Sequence, residues 1–203
     1  MIISTPDPAG SDETVAEIYR DDLDEDGFVF SHTRAMAVNP AAVAAFEELI
    51  RAIVPSIGVR TYELATLGAA GALRSRHCLL AHGRRALRAG ALGEDHLDGL
   101  AQHADHPDFS DADRAVMRYA RRLSTHPADM TDADSQELRD AGFDDRQIVD
   151  ITLAAAARNY VSRALQALAV PVETDLVGLS PRLRDALMAS AWSESDPREE
   201  AVP

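Results

Sequence analysis

Glu63, Ser75, Arg76, His77, Cys78 and His82 stand in one short stretch, and their types and spacing fit thiol chemistry. On a helix, Cys78 and His82 are four residues apart and share a face; Ser75 and Cys78, three apart, are also neighbours. The thiol would fall in the first turn, where the helix dipole and free N–H groups favour a thiolate. Arg74 and Arg76 add positive charge, and His82 can exchange a proton with the sulfur. Glu63 belongs to the preceding helix. If the two helices fold back as an antiparallel pair, its carboxylate reaches the same pocket, as a proton acceptor or as the group that orients the histidine. Plainer readings stand beside these. A lone Cys in an Ala-rich helix is commonly a small buried hydrophobe, Ser75 suits an N-cap, and isolated histidines are commonly satisfied or exposed.

The elements that must position these residues read as helices throughout. Residues 59–73 form a buried helix rich in Ala and Gly, which suggests close helix–helix approach, and 75–89 form the next, ended by Gly90. Upstream, Ser11 with Asp12 and Glu13 reads as the N-cap of a helix that stops by Gly27, and an apolar segment, Phe28 to Val38, follows. Asn39-Pro40 opens a helix whose period lasts until Pro55. Downstream, 93–103 is a weaker helix, Ser110 and Thr131 start two more, and Asp144 with Gln147 is a capping box for a long helix over 145–169. A last short helix covers 181–191. The expectation is a single all-α domain of eight to ten helices over 11–191, with a flexible N-terminus at 1–10 and a polar tail at 192–203.

Composition removes whole classes of function. The 203 residues carry 34 acidic and 20 basic side chains, a formal charge of -14, so general nucleic-acid binding and attraction to anionic membranes are disfavoured. Every basic residue is Arg; without Lys there is no Schiff-base or P-loop lysine chemistry. With Cys78 alone, no intramolecular disulfide or Cys-rich metal site can form, and a reducing, cytoplasmic setting fits. Met1 to Gly10 lack the pattern of a secretory leader, and the longest uncharged apolar run, Leu64 to Leu73, is too short to span a membrane.

Two other clusters read as solvated faces. His96, His103 and His106 with Glu94, Asp95 and Asp105 fit no defensible ligand spacing, so no metal is expected. Arg84, Arg85 and Arg88 read as an exposed or inter-subunit basic face.

The spacing Glu-x11-Ser-x2-Cys-x3-His, with a His just before the Cys, resembles the carboxymuconolactone decarboxylase and alkylhydroperoxidase D superfamily, whose pattern is Glu-x11-Cys-x2-Cys-x3-His on two packed helices. Gly27-Phe28-Val29 leading to Ala37-Val38-Asn39-Pro40 is similar to the family's entry segment, and the stretch AGFDDRQIVDITLAAAARNYVSRALQALAV after Leu138 is similar to the C-terminal half of its peroxidase-related branch. The likeness runs over about residues 13–172. It implies that Cys78 is the peroxide-attacking cysteine, that Glu63 and His82 relay its proton, and that His77 is the histidine between the two cysteines. Ser75 stands where the partner cysteine should be, so reduction would need an external thiol or the Cys78 of a second protomer. Asn159 and Arg163 match polar positions in the family, with Glu63 a candidate partner for them that would make it structural.

The resemblance implies a homo-oligomer that needs no cofactor and acts on a small hydroperoxide. Two alternatives stay open: a catalytically degenerate protein that binds a small ligand or partner, and a decarboxylase-type enzyme using His82, His77 and Arg76 on a small lactone or carboxylate.

Overall fold

The computed structural model describes residues 1–10, 12–102, 106–173 and 178–190, apart from the side chain of Glu25, and among these the chain is all-α with no strand. Among the described residues nine α-helices follow one another: α1 (Glu13–Asp26), α2 (Ser31–Met36), α3 (Pro40–Ala72), α4 (Arg76–Arg88), α5 (Glu94–Ala101), α6 (Asp111–Thr125), α7 (Asp132–Asp140), α8 (Asp145–Ala167) and α9 (Pro181–Ser190), with a short 3-10 turn over Pro127–Asp129.

Local side-chain chemistry sets most helix starts. Asp144 accepts from Gln147 N at 2.8 Å while Gln147 reaches back to Asp144 N, and Ser110 with Asp113 does the same for α6. The N-cap of α1 is Asp12, which accepts from Val15 N; Ser11, expected in that role, lies outside the described residues. Two further expectations are corrected. The segment 28–38 contains α2, which the sequence reading passed over because Phe30, at its N-cap, makes no side-chain capping bond. Pro55 does not end its helix either. The chain runs on in one element and breaks at Gly58, whose φ of 75° and ψ of 161° are non-helical.

α3 is the centre of the molecule and packs against α8, α6 and α4. Its second half is buried on nearly every side, with Leu64, Ala65, Ala69 and Ala70 fully inside. The small residues allow close approach: a Cβ at Gly68 would stand 3.1 Å from the Met117 carbonyl oxygen on α6. α3 and α4 form a tight hairpin in which Arg74 takes a left-handed φ of 54° and Ser75 N donates to Ala70 O at 2.9 Å. Gln166 of α8 caps the Leu73 carbonyl at 2.8 Å and so ties the turn to the third helix of the site. Since the atom facing Gly68 is backbone, Gly68→Val forces α3 and α6 apart. We expect it to lower stability by about 1–3 kcal/mol in urea unfolding; an unchanged midpoint would show that the two helices do not meet there.

Candidate active site

Glu63 and His82 meet across the α3–α4 hairpin. Glu63 is fully buried, and its Oε2 lies 2.8 Å from His82 Nδ1. A carboxylate only accepts, so Nδ1 carries the proton in this pair and Nε2 keeps its lone pair. Burial, followed by the positive charge of Arg158, pushes the His82 pKa down to about 4, against the opposite pull of Glu63. The imidazole is therefore neutral at pH 7 and able to act as a base. The second oxygen, Glu63 Oε1, has no hydrogen-bond partner and lies 3.6 Å from Arg85 Nε.

Cys78 stands one helical turn before His82 and is 2 % exposed. Its sulfur accepts two hydrogen bonds from α8, from Arg158 Nη1 at 3.3 Å and from the Ser162 hydroxyl at 3.2 Å. Arg158 and Ser162 are one turn apart on the same face of α8, and neither was singled out from the sequence. The Arg158-x3-Ser162 spacing in an Ala-rich helix was the available signal. Burial works against the Arg158 charge, but Cys78 and Tyr62, both hydrogen-bonded to the guanidinium, outweigh it and hold its pKa above the usual arginine value. A buried guanidinium requires a counter-charge or equivalent acceptors. Here the groups on it are a sulfur and a phenol oxygen.

The other predicted residues divide. Ser75 is at the N-cap of α4 and 1 % exposed, yet its side chain makes no capping bond and its Oγ has no partner. Arg76, the first residue of α4, is half-buried. His77 points elsewhere: its Nε2 is 2.9 Å from Pro171 O, and its ring stands edge-on to His32 at 6.2 Å. Asn159 and Arg163 are not partners of Glu63. Asn159 Nδ2 donates to Ser124 Oγ at 2.8 Å and Arg163 Nη2 to Ser124 O at 3.4 Å, because one residue beyond Arg158 turns the helix toward α6.

A cavity of about 480 Å³ lies against a different face of α4, lined among others by His77, Arg84, Arg85 and Arg88, with Phe30 and His32 opposite. Cys78, Glu63 and His82 do not line it, so this cavity is not the pocket of the thiol. The basic cluster is not simply an exposed face: Arg84 is 6 % exposed, paired with the buried carboxylate of Asp26 and set 5.8 Å over the Phe30 ring. It pins α1 to α4. His32, absent from the sequence reading, stacks on Phe30 at 5.2 Å; burial, then the neighbouring His77, lowers its pKa to about 4.

Among the described residues, the ligand atoms of His96, His106 and Asp108 lie within 4.8 Å of one another. Both rings spend Nδ1 as an acceptor, His96 from Gly93 N at 3.1 Å and His106 from Asp108 N at 3.2 Å, which leaves the proton on each Nε2. A ligating imidazole needs the reverse, a free nitrogen lone pair and a proton to donate on the other nitrogen, so this cluster is built for capping turns. His103 and Asp105 lie outside the described residues.

His82 and His32 are both held neutral in the folded chain, whereas unfolded they titrate near 6.5. Below that value the unfolded state binds more protons. Their contribution to stability is thus full above about pH 6.5 and is lost as the pH falls toward 4. Unfolding measured across this window is expected to show a slope that His82→Asn and His32→Asn each reduce by about one proton; equal slopes in all three proteins would contradict it.

Residues 39–122 match the carboxymuconolactone decarboxylase family. No curated protein sequence matches the chain. Three solved structures share its fold. An uncharacterized peroxidase-related protein from Ralstonia eutropha JMP134, described as an alkylhydroperoxidase AhpD core, is 20 % identical, with 95 % of this chain and 97 % of that one covered at a TM-score of 0.72. A peroxidase-related protein from Silicibacter sp. TM1040 is 20 % identical over 86 % and 92 % of the two chains, with a TM-score of 0.71. The debrominase Bmp8, in complex with 2,3,4-tribromopyrrole, is 15 % identical over 94 % and 97 %, also at 0.71. The segment that matches the carboxymuconolactone decarboxylase family holds Glu63, Cys78 and His82, and the whole chain shares its all-α fold with the peroxidase-related structures.

Proposed function

We propose that Cys78 is a redox-active thiol that reduces small hydroperoxides, with an external thiol as the reductant. The observation that carries this reading is the buried Arg158 guanidinium, 3.3 Å from the sulfur with no carboxylate hydrogen-bonded to it among the described residues. A thiolate at Cys78 is the anion that this cation lacks, and the Ser162 hydroxyl gives it a second donor. Peroxidase-related proteins among the structural neighbours support the same chemistry.

The thiol proton passes to His82 Nε2, and the resulting imidazolium is stabilised by Glu63 on its other side. The sulfur attacks the nearer peroxide oxygen, the O–O bond breaks, and His82 returns the proton to the departing alkoxide. The thiol and the hydroperoxide thereby become a sulfenic acid and an alcohol. Two molecules of external thiol then restore Cys78, releasing a disulfide and water. With the sulfur only 2 % exposed, hydrogen peroxide and short alkyl hydroperoxides are favoured over bulky ones. A lactone or carboxylate reaction through His77, Arg76 and His82 has less support, because His77 is turned to Pro171.

Peroxide consumption coupled to dithiothreitol tests the reading. Cys78→Ser is expected to abolish turnover, His82→Gln to lower it by about 10²–10⁴ as the loss of a general base does, and Arg158→Met to slow the attack on peroxide at neutral pH. Undiminished turnover in Cys78→Ser would end the proposal.

A further inference from the structure

Two buried donors, one at the start of α4 and one on the guanidinium that holds the sulfur, are idle in the reduced protein. Ser75 Oγ and Arg158 Nε are shielded from solvent and have no hydrogen-bond partner. Leaving such groups unsatisfied costs stability, and native interiors rarely tolerate it without a reason. Ser75 is the N-cap of α4 and Cys78 its third residue, the two positions of a capping box, in which each side chain turns toward the other residue's backbone. Side chains on a helix also lean toward its N-terminus, so the sulfur of Cys78 covers the turn that begins at Ser75. Since Ser75 gives no side-chain cap, the N–H groups of the first turn of α4 keep their donor capacity as well.

We infer that this pocket is built for the oxidised sulfur, with the Ser75 hydroxyl and the Arg158 Nε–H receiving the oxygen that Cys78 gains on reaction with peroxide. The inference rests on the thiol reading above and deepens it. Oxidation adds one oxygen to Sγ, one bond length from an atom already held by Arg158 Nη1 and Ser162. With hydrogen peroxide the balance is thiol plus peroxide giving sulfenic acid plus water. Sulfur supplies the electron pair that breaks the O–O bond, and the thiol proton leaves with the released hydroxide. In this chain the residue three before the reactive cysteine does not resolve the sulfenic acid as a disulfide. It holds the oxygen by a hydrogen bond, which keeps the acid intact until an external thiol arrives.

The test is intact-mass analysis of the purified chain in a small excess of hydrogen peroxide, with aliquots quenched in dimedone over time to count the remaining sulfenic acid. The wild type should gain the mass of one oxygen and stay trappable. Ser75→Ala should lose trappable acid about five- to tenfold faster, by over-oxidation, the effect of one hydrogen bond, and Ser75→Thr should restore the lifetime. In Ser75→Cys the same peroxide should produce a disulfide with Cys78, seen as the loss of two hydrogens, which verifies that position 75 reaches the sulfur. Equal lifetimes in wild type and Ser75→Ala, or no disulfide in Ser75→Cys, would overturn the inference while leaving the thiol reading in place. A wild-type Cys78 that gains no oxygen would remove both.

Discussion

Arg158 brings a positive charge into the apolar interior between α3, α4 and α8, and the groups around it are arranged to meet that charge. In a medium of low effective dielectric, its influence reaches each neighbour with little screening. Burial and then this charge keep His82 neutral, because a second cation beside a buried first one is unfavourable, and this preserves the imidazole as a base despite the carboxylate of Glu63. Arg158 takes hydrogen-bond acceptors from Tyr62 and Cys78. The close packing around Gly68 and the neighbouring alanines of α3 excludes the water that would otherwise weaken all of these interactions.

α4 serves two purposes on two faces. One face carries Cys78 and His82 toward α3 and α8, where the partners are few and directional. The other carries Arg84 and Arg88 toward Asp26, at the end of α1, and holds the N-terminal helix over a separate cavity. The two faces are electrically distinct. The Asp26 carboxylate meets its guanidinium partners on the outer side, while Arg158 approaches from the opposite helix and meets sulfur. Arg85 stands between them, lining the cavity while its Nε faces the free oxygen of Glu63.

Most of the helical framework was legible in the sequence because its signals are local. A capping residue and its partner lie three positions apart, as Asp144 and Gln147 do, and need no tertiary contact. The hairpin pair of Glu63 and His82 could be read from spacing in the same way, and so could the common face of Cys78 and His82. What spacing does not contain is rotation between helices. On α8, Asn159 and Arg163 drew notice, yet Arg158 and Ser162, each one residue earlier and so about 100° around the helix, are the ones that touch the sulfur. His32 escaped because α2 has no capping side chain, and its importance comes from the rings of Phe30 and His77 brought beside it by the fold. Arg84 read as exposed because the sequence does not say that Asp26, at the end of an acidic run, folds onto it.

The break at Gly58 divides the labour within α3. A helix transmits phase: one inserted residue rotates everything beyond it by about 100°, which would swing Glu63 away from His82. Gly58 interrupts that transmission, because its backbone leaves the helical region and the two halves meet as a joint instead of a continuous shaft. The half before the joint, Pro40 onward, can therefore change in length or register while the half after it keeps Glu63 in place. The molecule thus isolates its least forgiving alignment from the part of its longest helix with most freedom to drift.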